Sequence, residues 1–168
     1  MFHNIFEKLR ARKQSSKPKP RIIADIHEKD SMIFSELSNK EVSLEIMPLK
    51  IGDYLIGDTI IERKTTNDFI SSMLSKRLIE QLSQMRKYKN KILIIEGDLK
   101  NLYPDKEDSK LNPNSIRGFI LSIISHYSAN IIFTTDYKDT SEYLITLAKQ
   151  QLKPKTEISL HSRIPKTI

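Results

Sequence analysis

The sequence contains no cysteine, and this absence excludes three kinds of chemistry. Its 168 residues cannot form disulfides, bind a metal through thiolates or use a cysteine nucleophile. A run of about 18 apolar residues is also missing, so no transmembrane helix is predicted. The first residues, MFHNIFEKLRARKQ, are charged too early and too often for a signal peptide. We therefore expect an intracellular protein, in the cytoplasm of a prokaryote or archaeon or in the nucleus of a eukaryote.

The net charge of +7 is unevenly distributed along the chain. Residues 1–21 contain seven Lys or Arg and one Glu, and residues 153–168 contain four and one, whereas residues 22–152 contain 17 basic and 19 acidic side chains. Basic tails often steer a protein toward a polyanion, but they also serve simply to keep a protein soluble, and both interpretations stay open. A cluster of acids in the slightly acidic central part would need a cation.

Composition divides the chain into three parts. The stretch RKQSSKPKPR, 12–21, is typical of a linker, and the apolar residues before it have the spacing of a short amphipathic helix. We expect a basic flexible tail over 1–20, one folded domain over 21–152, and a C-terminal tail or linker over 153–168. The length of the central part is enough for a packed core.

Hydrophobic periodicity within 21–152 predicts alternating strands and helices. KILIIEG, 91–97, is continuously apolar, as expected of a central strand that is covered on both faces. The other predicted strands are 21–25, 42–47, 53–56, 59–64 and 130–135, and the predicted helices are 30–39, 66–89, 114–127 and 139–151. A polar loop is expected over 98–112. The predicted fold is α/β, with a mixed central sheet of about six strands and helices on both faces.

Charged side chains end the strand that begins at Thr59. Because strand residues alternate between faces, Glu62 and Lys64 share one face and Arg63 points to the other. The Gly57-Asp58 turn makes Asp53 a cross-strand neighbour of this group, and Asp25, which ends the first strand, is a third candidate carboxylate.

Clustered carboxylates beside a lysine are unfavourable without a counter-ion. A hard divalent cation such as Mg²⁺ or Mn²⁺ takes oxygen ligands, lowers the pKa of a bound water and neutralises a phosphate oxygen. That is the chemistry of phosphodiester hydrolysis, with the lysine orienting water or stabilising charge at phosphorus. Spacing alone leaves a second interpretation open, in which the hairpin carries only ordinary cross-strand ion pairs.

The order Gly52-Asp53, then Glu62-Arg63-Lys64, then Asp68 resembles the nuclease signature of the XPF/Mus81 family, including its archaeal XPF-like members. More broadly, Asp53 with Glu62-x-Lys64 is similar to the core of restriction-endonuclease-like nucleases. Three further stretches resemble family segments in the same order, and the match covers about residues 21–152. These stretches are ADIHE (24–28), SKRLIEQL (75–82) and ILIIEG (92–97).

The resemblance implies a role for each residue of the signature. It implies that the acids are metal ligands or position water, and that the backbone carbonyl of Arg63 completes the metal shell. Lys64 would be the catalytic lysine, and Arg63 and Asp68 would pair to fix the junction between strand and helix. The implied acids are Asp25, Asp53 and Glu62. Glu28 is a weaker candidate, because it is also compatible with an exposed loop position. Glu96 ends the 91–97 strand, where it either faces the site or is solvated.

Two departures from the family pattern stand out. His27 replaces the arginine of the family's Asp-x-Arg-Glu, and a histidine offers fewer donors and titrates near neutrality. Family members usually continue into a tandem helix-hairpin-helix domain, which is absent here. The chain is then either a fragment or a naturally short member, and we expect lower DNA affinity in both cases, offset in part by the basic tails.

The resemblance implies a Mg²⁺- or Mn²⁺-dependent endonuclease that cuts branched DNA, such as 3′ flaps and forks, during DNA repair. It also implies a homodimer or heterodimer formed through the nuclease domain. An inactive nuclease-like DNA-binding subunit or scaffold is the alternative, and the intact acidic set argues against it. A module that recruits repair factors through its tails is a further possibility.

Overall fold

The computed structural model describes residues 18–103 and 111–152, and these build one mixed sheet between two layers of helices. The strands are β1 (Arg21–Asp25), β2 (Ser43–Met47), β3 (Tyr54–Ile56), β4 (Thr59–Thr65), β5 (Asn90–Glu96) and β6 (Asn130–Thr134). The helices are α1 (Met32–Ser38), α2 (Thr66–Leu74), α3 (Arg77–Met85), α4 (Pro113–Tyr127) and α5 (Tyr137–Gln151). Two 3-10 turns lie at Ile26–Glu28 and Leu99–Leu102.

The strand order is β2-β1-β3-β4-β5-β6, so the two parallel halves meet at an antiparallel hairpin. Strand β1 runs parallel to β2 and antiparallel to β3, and β3 runs antiparallel to β4. Strands β4, β5 and β6 are parallel to one another. The prediction of a six-stranded mixed α/β sheet, with the 91–97 run as an inner strand, is confirmed.

Each face of the sheet carries its own hydrophobic core, because neighbouring strand residues point in opposite directions. On β4, Ile61 packs with the residues of α1 and α5, whereas Ile60 packs with those of α2, α3 and α4. The first core includes Ile22, Ile33, Leu37, Tyr54 and Leu144, and the second includes Phe69, Leu78, Leu82, Ile116 and Ile123. Helices therefore cover both faces, as predicted.

Gly52 sets the geometry of the hairpin next to the predicted site. Its φ of +71° lies in the left-handed region. A Cβ there would lie 2.7 Å from Ile60 Cγ1 and 3.0 Å from the Ile61 carbonyl oxygen, so no side chain fits. With Gly52 in place, the Asp53 N–H donates to the Ile61 carbonyl at 2.8 Å, and the Asp25 N–H donates to the Asp53 carbonyl at 2.8 Å.

The prediction of a single helix over 66–89 is wrong. The segment forms two helices, because Lys76 adopts a left-handed backbone with φ of +63°. The apolar spacing continues across this break, which is why periodicity alone does not reveal it. The start is as predicted: Thr65 caps α2 by accepting a hydrogen bond from the Asp68 N–H at 3.2 Å.

Other boundaries agree with the predictions to within about three residues. Asp136 caps α5 through the N–H groups of Lys138 and Asp139, so this helix starts earlier than predicted. The predicted N-terminal helix, residues 104–110 of the loop and the C-terminal tail lie outside the described residues. None of the helices in the described ranges is sufficiently long and apolar to cross a membrane.

Candidate active site

The centre of the candidate site is the ion pair between Glu62 and Lys64 at the end of β4. Lys64 Nζ lies 2.7 Å from Glu62 Oε1, and the two residues are only 6% and 2% exposed. They share the face of the sheet that packs against α2 and α3, as strand alternation predicts. An ion pair this deeply buried is poor evidence for a purely stabilising role, because desolvation offsets its attraction.

Asp53 joins this pair from β3 across the hairpin. Its Oδ2 accepts the Arg63 N–H at 2.7 Å, which holds the carboxylate beside the Glu62–Lys64 pair. Burial, and then the charge of Glu62, raise the pKa of Asp53 to about 7, although the Arg63 N–H and the charge of Lys64 act in the opposite direction. The predicted convergence of Asp53, Glu62 and Lys64 is thus present in the structure.

Gln81, on α3, is a site residue that the sequence patterns did not predict. Its Nε2 donates to Glu62 Oε1 at 2.6 Å, while its Oε1 is buried and has no hydrogen-bond partner among the described residues. Gln81 lies on α3, the helix that starts directly after the left-handed residue Lys76. The one available signal was its place in SKRLIEQL, the stretch that resembles a family segment.

Asp25 does not converge with the other two acids. Its Oδ1 accepts the His27 N–H at 3.1 Å and lies 2.5 Å from His27 Nδ1, and its Oδ2 accepts the Leu49 N–H at 2.7 Å. Burial alone would raise the pKa of Asp25, but these hydrogen bonds hold it below its ordinary value. Residues 18–103 and 111–152 contain no group of three or more His, Cys, Asp or Glu placed to hold a metal. The expected cluster of three carboxylates is therefore not formed, and Asp25 as a ligand stays a prediction.

Glu28 is a further acid whose negative charge affects the pKa of Asp53. Its charge raises the pKa of Asp53, and its Oε2 accepts the Tyr54 hydroxyl at 2.7 Å. Burial is the largest cause of a raised pKa of the Tyr54 hydroxyl. The negative charge of Glu28 and the hydrogen bond to Glu28 raise this pKa further. The side chain of His27, next to Glu28, is 89% exposed. Glu28 is thus fixed by a buried tyrosine instead of lying free on a loop.

Arg63 does not pair with Asp68, contrary to the role implied by the resemblance. Strand alternation turns Arg63 toward the α5 face, where its guanidinium binds both carboxylate oxygens of Glu96. Asp68 begins a helix that packs on the opposite face, and its carboxylate accepts the Thr65 hydroxyl at 2.8 Å. Glu96, only 8% exposed, is therefore neither solvated nor directed at the Glu62–Lys64 pair.

The donor set fits a hard divalent cation. Two carboxylates with mutually unfavourable charge lie beside each other, and an added positive ion would relieve that repulsion. Within the part of the chain that the structure describes, Asp53 Oδ1 and Glu62 Oε2 accept no hydrogen bond, and Gln81 Oε1 lacks a partner. Oxygen donors of these kinds are those that Mg²⁺ and Mn²⁺ prefer.

Comparison with known proteins identifies relatives with the same arrangement of elements. The ERCC4 domain model matches residues 21–147. The chain is 30% identical over 148 residues to the 3′-flap repair endonuclease Xpf of Saccharolobus solfataricus, which covers 85% of this chain. It is also similar to the structure of XPF from Aeropyrum pernix in complex with DNA, with a TM-score of 0.72 and 29% identity over 83% of this chain.

The chain spans only part of its relatives. It covers 62% of the Saccharolobus solfataricus protein and 69% of the Aeropyrum pernix chain. It is 36% identical over 140 residues to a Methanocaldococcus jannaschii protein that is named as an RNA helicase, but it covers only 17% of that protein. The helicase name therefore gives no information on the function of this chain.

Proposed function

Because this chain belongs to the ERCC4 domain family, we propose that it is a metal-dependent, structure-selective DNA endonuclease domain. It hydrolyses phosphodiesters in branched DNA, such as 3′ flaps and forks, and acts in DNA repair. The flap-repair activity for which the Saccharolobus solfataricus relative is named and the DNA in the Aeropyrum pernix complex support the substrate. Such a role places the chain with DNA, in the cytoplasm of a prokaryote or archaeon or in a eukaryotic nucleus.

The observation that carries this proposal is the meeting of Asp53, Glu62 and Lys64 at the hairpin. Lys64 is held at 2.7 Å from Glu62, so its ammonium is oriented before any substrate binds. In this position it orients the attacking water or stabilises negative charge at phosphorus. Gln81 shares the same Glu62 oxygen as Lys64 and limits the motion of that carboxylate. Backbone contacts carry no base information, so we expect structure selectivity without sequence preference.

Asp53 and Glu62 are the residues that would hold Mg²⁺ or Mn²⁺, together with the Arg63 carbonyl and, if its turn rearranges, Asp25. When bound, the ion supplies positive charge for a phosphate oxygen and lowers the pKa of water. Asp53 must lose its proton to act as a ligand, and because its pKa is raised, protons compete with the metal ion for this carboxylate near neutral pH.

The exposed side of α3 is the proposed track for the DNA backbone. Five exposed basic residues lie at its two ends, Lys76 and Arg77 at the start and Arg86, Lys87 and Lys89 just after Met85. Lysine and arginine side chains neutralise phosphates without reading sequence. Basic residues at these positions would guide one DNA strand toward the Glu62–Lys64 pair.

The edge of the sheet at β6 is the proposed contact with a second nuclease domain. Large apolar side chains are exposed on both sides of this edge: Leu121 and Ile124 on α4, Phe133 on β6 and Tyr143 on α5. A cavity of about 250 Å³ opens between Ile132, Tyr143 and Leu147. An unpaired strand edge with apolar flanks is typical of an interface, and a homodimer or heterodimer would cover it.

Cleavage of an end-labelled 3′ flap with Mg²⁺ or Mn²⁺ tests the function. Asp53→Asn and Lys64→Met should each lower the rate by on the order of 10²-fold or more. Asp58→Asn, at the turn end of the same hairpin, and Lys91→Met, which removes another buried lysine of the sheet, are matched controls and should cut normally.

Three outcomes separate the functions. Equal cutting by Asp53→Asn, Lys64→Met and the wild-type protein would mean that the activity comes from elsewhere. Binding of the flap without cleavage by the wild-type protein would support the inactive subunit or scaffold instead. The absence of both binding and cleavage would reject the DNA function.

A further inference from the structure

A buried polar network on the α5 face lies directly behind the candidate site. Glu96 Oε2 accepts Arg63 Nε at 3.0 Å and the Thr140 hydroxyl at 2.6 Å, and its Oε1 binds the Arg63 Nη2 group. The Thr140 hydroxyl is in turn 2.7 Å from that of Thr134, which ends β6. The network therefore joins β4, β5, β6 and the first turn of α5.

The network is largely buried. Thr140 is fully buried, and Thr134 and Glu96 are nearly so. The bidentate arrangement of guanidinium and carboxylate fixes the orientation of Arg63 more tightly than a single contact would. Burial opposes the positive charge of Arg63, but the hydrogen bond and the charge of Glu96 outweigh it and raise the pKa of the guanidinium. None of these side chains reaches the Glu62–Lys64 face.

Arg63 is nevertheless linked through its backbone to Asp53, Glu62 and Lys64. It stands between Glu62 and Lys64, so the rotation of its peptide units determines how far those two side chains project on the other face. Its N–H also donates to Asp53 Oδ2 at 2.7 Å. Fixing the Arg63 side chain on one face therefore fixes the acids and the lysine on the other.

We propose that Glu96 and Thr140 are positioning residues that hold Arg63, and through its backbone Asp53 and Glu62, in the arrangement that binds a divalent cation. The pairing of Arg63 with Glu96, 33 positions away along the chain, makes α5 and β6 part of the support of the site. This inference rests on the proposed function, because it assigns Asp53 and Glu62 to metal binding.

The test uses the full chain and measures the dissociation constant of Mn²⁺ alone by calorimetry, at a temperature well below the unfolding transition. Glu96→Gln removes the charge that holds Arg63, and Thr140→Val removes the hydroxyl that holds Glu96. Glu45→Gln is the matched control, because it breaks another bidentate pair, Arg21–Glu45, with both distances at 2.7 Å, on the far side of the sheet.

We expect Glu96→Gln to weaken Mn²⁺ binding by about 10–100-fold, Thr140→Val by a smaller factor, and Glu45→Gln not at all. Flap cleavage by Glu96→Gln should recover substantially when Mn²⁺ is saturating, because Lys64 and both acids are still present. A role confined to folding would lower the unfolding temperature and leave the Mn²⁺ constant of the folded variant unchanged.

An unchanged Mn²⁺ constant for Glu96→Gln, in a wild-type background that binds Mn²⁺ and cuts, would overturn this inference and leave the proposed function standing. If Glu96→Gln does not fold, the Mn²⁺ dissociation constant of Thr140→Val provides the same test, because this variant keeps the Arg63–Glu96 ion pair. A wild-type protein that neither binds Mn²⁺ nor cuts would overturn both.

Discussion

At the scale of single residues, the site combines a buried lysine with two acids, Glu62 in an ion pair with the lysine and Asp53 beside them. Lys64 is neutralised by Glu62 at 2.7 Å, which leaves Asp53 as the acid whose charge is not balanced by a partner of its own. Burial, and then the charge of Glu62, displace the pKa of Asp53 toward neutrality. The residue is protonated in the metal-free protein at a pH where an ordinary aspartate is ionised.

Asp53 should make the metal-free protein less stable as pH rises. Its pKa is about 7 in the folded state and 3.8 as the ordinary value, so between these limits the folded protein binds more protons than the unfolded chain. The free energy of unfolding then falls from about pH 4 to about pH 7. The free energy of unfolding can be measured in urea at several pH values, with a chelator present. Asp53→Asn should remove this fall of the free energy with pH, and Asp58→Asn should keep it. Parallel curves for the wild-type protein and Asp53→Asn would contradict the assignment.

Gly52 should be intolerant of any side chain. Gly52→Ala forces a Cβ to within 2.7 Å of Ile60 Cγ1 at a positive φ, which should lower the free energy of unfolding by about 1–3 kcal/mol and displace Asp53. Gly118→Ala is the matched control, because nothing lies within 4 Å of its Cβ position on α4. That variant should be neutral or more stable by up to about 1 kcal/mol. Urea unfolding distinguishes them, and equal stabilities would refute the prediction.

At the scale of elements, local sequence patterns predicted which strand residues share a face at the site. Contacts between residues far apart in the chain determined the remaining side-chain partners. Period-two alternation was enough to separate Glu62 and Lys64 from Arg63, and the Gly57-Asp58 turn was enough to bring Asp53 beside them. The partner of Arg63 depends on which helix covers each face, and strand patterns leave this undetermined.

Two further details depended on chain geometry that periodicity does not encode. Gln81 reaches Glu62 from a helix that starts after the left-handed residue Lys76. Asp25 is retained by the N–H of Leu49, in the segment between β2 and β3, whose path no local pattern specifies. Backbone conformation at one residue and the course of an irregular loop are set by tertiary packing.

The junction between α2 and α3 should carry measurable backbone strain. Lys76 has φ of +63°, a region that costs a non-glycine residue about 1–2 kcal/mol. Lys76→Gly should therefore leave the stability unchanged or raise it by up to about 1 kcal/mol, whereas Ser75→Gly, in the right-handed region, should lower it. Urea unfolding of both variants measures this difference. If Lys76 also contacts DNA, the glycine variant should bind a flap more weakly. A stability loss at both positions would argue against the left-handed conformation.

At the scale of the whole molecule, the candidate site and the proposed subunit contact lie on different strands of the sheet. The acids and the lysine of the site lie at the ends of β3 and β4, a group of four exposed apolar residues lies around β6, and most of the net positive charge lies near the chain ends. We therefore expect that DNA and a second subunit can be bound at the same time.

The apolar surface around β6 should mediate self-association. Size-exclusion chromatography with light scattering should give a dimer for the wild-type protein and a monomer for Ile124→Lys. Leu74→Lys, which changes another exposed apolar side chain on α2, is the control and should remain dimeric. A wild-type monomer at high concentration would exclude the homodimer, and the heterodimer would then be the remaining form.

The N-terminal tail should strengthen DNA binding through charge alone. Residues 1–20 contain six Lys or Arg and one Glu, so their removal should weaken flap binding and flatten its dependence on salt. The slope of the logarithm of the binding constant against the logarithm of the salt concentration should change by about 0.9 for each DNA phosphate that the tail no longer neutralises. Replacing the six basic residues by Gln should have the same effect at constant length. An identical slope with and without the tail would leave it a solubilising segment.

The hairpin that carries Asp53, Glu62 and Lys64 is closed by a turn of only two residues, and this gives insertions very different consequences at different places. Extra residues in distant loops leave the spacing of the three side chains untouched, since the hairpin fixes it. One residue added within β4, between Ile60 and Glu62, would shift the register and turn the acid and the lysine onto the α5 face. A length change at that point would thus abolish the chemistry with every residue type still present.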